Sequence, residues 1–395
     1  MTDRPQSTRS LPSDDEALAL AGANEQQIRG LMARAAAIRD RAWGSTLTFS
    51  PKVFLPITNL CRDRCDYCAF RRSPGDPGER TMSPNDVARA LADAAVAGCG
   101  EALLCLGDRP ETAFESYRRT LAVFGHLRTV DYLVWVCKQA LGVGLLPHTN
   151  AGVLHSSEMR LLKPVNASLG LMLETASRRL CARGMAHHRA PDKRPELRLA
   201  MIRQAGELSI PFTTGILVGI GETRRERVEA LLAIRALHLR YGHIQEVIIQ
   251  NFTPHEGTLR WAAPLPGDDD MALAVALART ILPDDVSIQS PPNLNPERTA
   301  LLVNAGINDF GGISTVTPDF INPNHPWPEV QQLEHAVVQL GYELRPRLCI
   351  YDGFIERAGF VDPSIAEVIR RARARLAHFE RRPSKRPERI EQGAA

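Results

Sequence analysis

The chain has 395 residues, of which 44% are hydrophobic and 24% are charged, and its formal net charge is +3. This composition supports a large packed core, while the small net charge argues against a nucleic acid or a membrane surface as partner. No apolar run approaches the ~20 residues of a membrane span and no signal peptide is recognisable, so we predict a cytoplasmic protein in a reducing compartment.

Residues 1–45 are predicted to contain a disordered start and a helical N-terminal extension. Residues 1 to about 12 are polar, and Ser13-Asp-Asp-Glu16 has the form of a capping box, which marks the start of a helix. Apolar residues at helical spacing predict a second helix over 24–43. We expect this extension to lie outside the main fold and to cover one end of it.

Residues 46–317 repeat a pattern of strand, polar loop and helix. The predicted strands are 53–57, 101–106, 145–149, 167–173, 212–218, 246–250 and, from shorter runs, 286–289 and 307–310; helices are predicted over 83–97 and 111–142, the second with the length of one helix or two. About eight such units predict an α/β fold with parallel strands in a (β/α) TIM-type barrel, closed or partly open. A doubly wound open sheet is the alternative, but no G-x-G-x-x-G turn follows an early strand.

Residues 318–380 are predicted to form a C-terminal extension. It is rich in Pro and Asn up to about residue 346, with one helix over 329–340, an apolar run over 344–354 and an arginine-rich surface helix over 363–379. Residues 381–395 carry basic residues and two prolines with little that is apolar. We expect a disordered, solvated tail there.

Three cysteines stand out in the stretch that follows the first predicted strand. Cys61, Cys65 and Cys68 have the spacing C-x3-C-x2-C, and no fourth cysteine follows nearby. On a tight loop, three thiolates hold three irons of a [4Fe-4S] cube and leave the fourth iron open. An open metal position indicates chemistry at the metal rather than a purely structural or electron-carrying site.

Other uses of these cysteines are less natural. A zinc site usually shows two pairs of Cys or His ligands, and no second pair accompanies this one. Disulfides do not suit the predicted reducing compartment. The remaining five cysteines are scattered, and we interpret them as packing residues; they are Cys99, Cys105, Cys137, Cys181 and Cys349. One cluster per chain is therefore predicted.

The cysteine loop resembles that of the radical S-adenosylmethionine (SAM) superfamily, in which the open iron chelates the amino and carboxylate groups of SAM. The resemblance implies SAM as second cofactor, bound at the carboxyl ends of the barrel strands. The residues that it assigns to SAM are Tyr67, Gly107, Asp108, Glu174, Gly219 and Glu222.

Each of these assignments has an ordinary structural alternative. Asp108 stands where the family places a glutamate that receives the SAM ammonium, although an Asp-Pro turn has the same appearance. Glu174 ends the fourth predicted strand and is assigned to the ribose or the methionyl end of SAM. Gly219 and Glu222 are assigned to the adenine side, but a helix start uses the same residues.

Amide, histidine and acidic side chains are also predicted at the barrel mouth. The substrate candidates are His148, Asn150, Gln250, Asn293 and Asp309. Together they fit a neutral substrate with many hydroxyl and amide groups. Taken singly, each of these residues is equally typical of a loop position whose polar groups are hydrogen-bonded within the protein.

Longer stretches carry a closer resemblance. The runs 57–72, 106–111, 146–152 and 309–314 resemble the CofG family of FO synthases within the radical SAM superfamily. FO is 7,8-didemethyl-8-hydroxy-5-deazariboflavin, the chromophore of coenzyme F-420. The resemblance implies a lyase that converts the tyrosine-derived hydroxybenzyl adduct of 5-amino-6-(D-ribitylamino)uracil to FO with loss of ammonia, by means of a 5′-deoxyadenosyl radical.

The same resemblance implies two protein partners: a CofH-type subunit that supplies the adduct, and a low-potential ferredoxin or flavodoxin that supplies electrons. Two other functions stay open at this point. One is a related radical SAM enzyme, either CofH itself or an enzyme of menaquinone or biotin synthesis. The other is an iron-sulfur protein of electron transfer or regulation, which would not cleave SAM.

Overall fold

The computed structural model describes residues 9–380, with side chains as far as residue 376. Eight parallel strands close into a barrel, because β1 pairs with both β2 and β8, and a ninth strand adds to β1 on the outside. The strands are β1 (Thr46–Thr58), β2 (Glu101–Leu106), β3 (Leu146–Asn150), β4 (Ser168–Gly170), β5 (Phe212–Val218), β6 (Ile244–Asn251), β7 (Ser287–Gln289), β8 (Asp309–Ile313) and β9 (Glu343–Pro346).

Helices connect the strands and flank the barrel at both ends of the chain. They are α1 (Asp14–Ala19), α2 (Glu25–Trp43), α3 (Pro84–Val96), α4 (Pro110–Ala113), α5 (Glu115–Val123), α6 (Thr129–Gly142), α7 (Ser156–Leu162), α8 (Pro195–Glu207), α9 (Arg224–Tyr241), α10 (Asp268–Ile281), α11 (Thr299–Asn304), α12 (Val330–Gln339), α13 (Asp352–Ile355) and α14 (Ala366–Glu380). The parallel barrel confirms the predicted fold class and excludes the open sheet.

Local sequence explains where several helices begin. Ser13 and Asn24 both form capping boxes, as does Ser83 before the proline that opens α3. Each cap satisfies backbone N–H groups that a first helical turn leaves without partners. The predictions of a helix start at Ser13, of a helix over 24–43 and of the helix after Ser83 are confirmed.

Strand boundaries and one helical stretch differ from the predictions. β1 begins at Thr46 rather than at Val53, while β4 ends at Gly170, three residues before the predicted end. β8 begins at Asp309, two residues later than predicted. The stretch 111–142 contains parts of three helices, α4 to α6, rather than one or two. The missed part of β1 contains Pro51 and Lys52, residue types that are uncommon inside strands, and this explains the longest error.

The N-terminal extension is not where the sequence predicts it. α2 packs along α10 and α11 on the outer wall, and Arg39 donates to the backbone carbonyls of Val303 and Ile307. This helix therefore lies along the barrel wall, whereas we predict a cover over one end of the barrel. The amino ends of the strands are covered instead by the C-terminal segment, where Leu348, Ile350 and Phe354 share a hydrophobic cluster with residues at the starts of β3 and β4.

The predicted disordered segments fall largely outside the described residues, namely 1–8 and 381–395. Within the described part, no helix combines the length and the apolar character that crossing a bilayer requires.

Candidate active site

The loop between β1 and α3 brings the three motif cysteines to one wall of a cavity at the carboxyl ends of the strands. The base of the loop is held by Asn59, which donates to the Gly78 carbonyl at 2.8 Å and accepts from the Arg80 amide at 2.8 Å. Gly107, at the end of β2, lies directly against this loop: an added Cβ would lie 2.6 Å from Cys61 Cβ. Glycine is therefore required here for packing of the cysteine loop itself.

The cavity has a volume of about 240 Å³. Its wall combines the three cysteines with charged and amide side chains from six strands or their loops. The residues that matter below are Cys61, Cys65, Cys68, Tyr67, Cys105, Gly107, Asp108, Asn150, Met172, Glu174, Lys193, Arg198 and Gln250. We call it the upper cavity.

The cysteine geometry fits an iron-sulfur cube better than a single metal ion. A tetrahedral zinc holds its sulfur ligands about 3.8 Å apart, given Zn–S bonds of about 2.3 Å. Among the described residues, the one group of three potential ligand atoms within 4.8 Å of one another is Asp63, Asp108 and Asp192, not the cysteines. The wider spread of the sulfurs suits separate irons of one cluster, as the C-x3-C-x2-C spacing predicted.

Burial of the motif cysteines favours the neutral thiol over the charged thiolate. Desolvation raises the pKa of Cys61 to about 12, with Asp63 and Cys68 adding to the effect. Desolvation also raises the pKa of Cys65, although the nearby Lys193 ammonium acts in the opposite direction. Metal binding must therefore drive the loss of these protons.

Two cations and two carboxylates meet beside the cysteine loop, where the Asp108 amide lies 3.1 Å from Cys61 Sγ. Arg198, 4% exposed, lies 3.7 Å from an Asp108 oxygen and 4.0 Å from a Glu174 oxygen. Lys193 pairs with the same Glu174 carboxylate, and Asp108 also accepts from the Val153 amide at 3.1 Å. Arg198 is anchored by donating to the Met172 carbonyl at 2.7 Å. Acidic and basic side chains are thus already arranged around the space that a zwitterionic ligand would enter, and burial raises the pKa of Asp108 to about 7.

Glu174 reaches this position through an unusual backbone conformation. Its φ is +65°, in the left-handed region that non-glycine residues seldom adopt. The Glu174 amide donates to the Gly215 carbonyl and its carbonyl accepts from the Leu217 amide, both at 3.0 Å. These bonds to β5 hold the turn and direct the carboxylate into the upper cavity.

Tyr67, between the second and third cysteines, is fixed by a histidine that the sequence analysis did not single out. Its hydroxyl lies 3.0 Å from His187 Nε2, and the two rings meet edge to face with centroids 5.7 Å apart. Burial raises the pKa of Tyr67 well above its ordinary range and lowers that of His187. Both rings are therefore neutral at physiological pH.

Gly219 and Glu222, the remaining positions predicted for SAM, form hydrogen bonds within the turn after β5. The Glu222 carboxylate accepts from the backbone amides of Gly219 and Ile220 at 2.8 and 2.9 Å and from Arg227 at 2.6 Å. Neither Gly219 nor Glu222 lines the upper cavity, so in this structure they shape the turn after β5. Their predicted contact with adenine has no direct counterpart in the geometry.

The five substrate candidates separate into two groups. Asn150 and Gln250 line the upper cavity, and His148 lines a second space described below. Asn293 and Asp309 line neither. The Asn293 amide donates to Asp319 at 2.9 Å, and the fully buried Asp309 accepts from Arg347 at 2.8 Å, so a direct substrate contact predicted for these two is not supported.

A second space of about 110 Å³ lies deeper in the barrel, below the upper cavity. Asn150 and Met172 line both spaces, which are therefore adjacent. We call it the lower chamber. Its other principal lining residues are Lys52, Glu101, His148, Thr213, Glu246, Gln289, Gly311, Gly312, Arg347 and Cys349.

Most polar groups of the lower chamber were missed by the sequence analysis. Lys52 carried a usable signal, because a lysine inside a strand buried on both faces is unusual. The predicted first strand begins one residue later, at Val53, and therefore does not include Lys52. Arg347 and Arg198 carried no such signal, since nothing in the sequence near either residue indicates that it reaches the barrel interior.

Relatives of this chain agree on one family. Residues 55–234 match the Radical SAM superfamily. The chain is 46% identical over 326 residues to the 7,8-didemethyl-8-hydroxy-5-deazariboflavin synthase of Methanopyrus kandleri, covering 82% of this chain and 97% of that protein. It is also 43% identical over 369 residues to the FO synthase of Mycobacterium tuberculosis, covering 89% of this chain and 43% of that longer protein.

Solved structures with the same architecture are more distant in sequence. The hydrogenase maturase HydG of Carboxydothermus hydrogenoformans superposes with a TM-score of 0.70 at 18% identity, covering 94% of this chain and 86% of that one. Methylornithine synthase PylB superposes with a TM-score of 0.65 at 16% identity, covering 86% and 95%. At these identities the likeness shows the fold alone.

Proposed function

We propose the activity of this chain from its family: it belongs to the radical SAM superfamily and, within it, to the 7,8-didemethyl-8-hydroxy-5-deazariboflavin synthases. Its cofactors are accordingly a [4Fe-4S] cluster and SAM. Its reaction is the conversion of the hydroxybenzyl adduct of 5-amino-6-(D-ribitylamino)uracil to FO, in coenzyme F-420 biosynthesis. Loss of ammonia from the adduct would class the enzyme as a lyase.

One observation supports this proposal above the others. The three motif cysteines share a cavity with cationic, acidic and neutral amide side chains, and that cavity is adjacent to a polar chamber inside the barrel. When bound, the cluster and SAM supply a carbon-centred radical that removes a hydrogen atom from the substrate. A protein that only transfers electrons needs no second chamber next to the cluster.

The charged residues of the upper cavity have a role in this reaction. Asp108 and Glu174 would receive the SAM ammonium and ribose, while Arg198 and Lys193 would balance the methionyl carboxylate. Each of these four side chains is already paired within the cavity, so little reorganisation is needed when SAM binds. Burial of the cavity walls excludes water, which protects a reactive radical from side reactions.

Anaerobic turnover tests the proposal. The reconstituted protein is incubated with SAM, dithionite and the adduct, and FO, methionine and 5′-deoxyadenosine are measured by mass spectrometry. We expect all three products. SAM cleavage without FO formation would contradict the assignment, and formation of the adduct from tyrosine and 5-amino-6-(D-ribitylamino)uracil would indicate a CofH-type activity instead.

The outer side of the cysteine loop suits a protein electron donor. Cys65 and Cys68 also line a surface depression, and its charged residues are Arg64, Arg71, Arg72 and Arg189 against Asp66, Asp76 and Glu256. The proposed donor is a low-potential ferredoxin or flavodoxin that carries acidic groups. Charge reversal by Arg64→Glu should slow reduction by flavodoxin, more so at low salt, and leave dithionite reduction unchanged; equal rates with both donors would exclude this surface.

The source of the adduct is a further part of the proposal. A CofH-type subunit would supply it, and the FO synthase of M. tuberculosis, which is more than twice as long as the region that aligns here, is consistent with fusion of two such activities in one chain. Adding purified CofH with tyrosine and 5-amino-6-(D-ribitylamino)uracil should replace the adduct in the turnover assay. Failure of that mixture, when the adduct itself is accepted, would contradict this pairing.

A further inference from the structure

Two long polar side chains lie across the lower chamber where glycines leave room for them. An added Cβ on Gly312 would lie 2.6 Å from Lys52 Cε, and one on Gly311 would lie 2.5 Å from Gln289 Cδ. No real side chain tolerates such distances. The Gly-Gly pair of β8 therefore makes space for Lys52 and Gln289, in a region that aliphatic side chains fill in an ordinary barrel.

The functional ends of these side chains have no hydrogen-bond or ion-pair partner among the described residues. Lys52 is 7% exposed and Gln289 is 6% exposed, yet within residues 9–380 neither side chain forms a hydrogen bond or an ion pair. The Lys52 ammonium lies 4.7 Å from the Trp327 ring centroid instead. A buried polar group without a partner costs about 1–3 kcal/mol, so such groups normally meet a ligand or water.

Donors and acceptors are mixed in the chamber, which favours hydroxyl groups as the ligand. Lys52 donates only, whereas the Gln289 amide both donates and accepts. His148 stays neutral, because burial lowers its pKa to about 4, and its Nδ1 is occupied by the Ser168 hydroxyl at 2.6 Å. A hydroxyl group is both donor and acceptor and can be matched by every one of these partners.

Charge balance argues against an anionic ligand. Lys52 and Arg347 are offset by the carboxylates of Glu101 and Glu246 on the same walls. Arg347 is already held by Glu246 at 2.6 Å, so it offers little to a ligand. A phosphate dianion would lie beside Glu101 and Glu246, and within residues 9–376 Lys52 is the one lining cation without an ion-pair partner, so an anion is unfavourable in this buried site.

We propose that the lower chamber binds the linear polyhydroxylated chain of the substrate in its unphosphorylated form, with Lys52 and Gln289 as the residues that recognise it. The inference rests on the proposed function, which supplies a substrate with such a chain. At about 110 Å³ the chamber is smaller than the ~300–1,000 Å³ of a typical ligand pocket, so it suits one part of a ligand whose remainder occupies the upper cavity.

Equilibrium binding tests this inference without depending on turnover. The reconstituted protein with SAM is titrated anaerobically with 6-(D-ribitylamino)uracil, with 6-(methylamino)uracil and with the 5′-phosphate of the first compound. We expect the ribityl compound to bind at least about 10-fold more tightly than either of the others. Lys52→Met and Gln289→Leu should each remove about 10-fold of that preference, the size expected for loss of a buried hydrogen bond to a charged or amide group.

Controls separate a failed fold from a failed inference. Lys138→Met, on the exposed face of α6, is the matched lysine control. Iron content should equal that of the wild type in every variant, which shows that each one folds and holds its cluster, and SAM cleavage without substrate should be unchanged in Lys138→Met. Gln289→Leu provides the test if Lys52→Met does not fold. Equal affinity of the wild type for the ribityl and methyl compounds, or equal weakening of both by the variants, would overturn the inference. Absence of FO in the turnover assay would instead overturn the proposed function.

Discussion

The upper cavity and the lower chamber both contain buried charged side chains, but these side chains are accommodated in different ways. In the upper cavity the charged groups pair with one another across loops: Arg198 with Asp108 and Glu174, and Lys193 with Glu174. In the lower chamber Lys52 and Gln289 project from strands, beside glycines, and neither side chain forms a hydrogen bond or an ion pair within residues 9–380.

This difference separates a preassembled cofactor site from a site that is completed by its ligand. Paired charges keep the upper walls in place whether or not SAM is present, since each buried ion retains a partner. Polar ends without a hydrogen-bond partner favour a ligand that supplies hydrogen bonds, because an apolar group in the same place would leave them unsatisfied. Substitutions in the two regions should therefore have different consequences.

The largest effect is expected from the motif cysteines. Cys61→Ala, Cys65→Ala or Cys68→Ala should abolish SAM cleavage and lower the iron content from about four per chain, because each removes a cluster ligand. Cys105→Ala, which alters the same cavity, and Cys181→Ala should retain both. Full 5′-deoxyadenosine production by a motif variant would refute the assignment, and about eight irons per wild-type chain would indicate a second cluster.

Removal of the central cation of the upper cavity should mainly affect stability. Arg198→Met leaves the buried Asp108 and Glu174 carboxylates without this partner, which should lower the free energy of unfolding by about 3–5 kcal/mol. Urea denaturation of the reconstituted protein measures this change in the free energy of unfolding. Arg178→Met is the matched control, because its side chain is 80% exposed and its pair with Glu196 should contribute less than about 1 kcal/mol. Equal losses of unfolding free energy in Arg198→Met and Arg178→Met would mean that burial of an ion pair does not increase its contribution to stability.

A smaller effect is expected from the SAM contact. Asp108→Asn keeps the shape and removes the charge, and it should weaken SAM binding by about 1.5–3 kcal/mol, or roughly 10- to 150-fold. The loss should disappear with a SAM analogue that lacks the amino group. Glu174→Gln, measured in parallel, should weaken both ligands alike if it contacts the ribose. Unchanged SAM affinity in Asp108→Asn would assign this residue to the turn after β2 alone.

Per pH unit, the smallest effect is expected for the pH dependence of stability in the lower chamber. The pKa of His148 is lowered to about 4 from 6.5, so between these values the folded state binds fewer protons than the unfolded state. Its contribution to stability is complete above pH 6.5 and is lost as the pH falls toward 4. His148→Gln should therefore reduce the slope of unfolding free energy against pH by about 1.4 kcal/mol per unit. The exposed His335→Gln serves as control, and an unchanged slope in His148→Gln would contradict the burial argument.

The sequence by itself determined the barrel class, the cysteine site and the local helix starts. Cys61, Cys65 and Cys68 lie within eight residues, and the caps at Ser13 and Ser83 act within four, so their geometry depends on neighbours along the chain. Repetition of strand and helix was likewise enough to predict parallel strands, because short crossovers permit few other arrangements.

Only the tertiary structure decided which of the candidate residues meet. Arg198 reaches Asp108 across 90 positions of sequence, and Arg347 reaches Asp309 from a segment that closes the opposite end of the barrel. Gly107 illustrates the same limit, since its small size makes room for the cysteine loop, which lies nearly fifty residues earlier in the chain. Such contacts follow from strand order and register, which bring distant positions together after the chain has folded. No local pattern of charge or hydrophobicity encodes them.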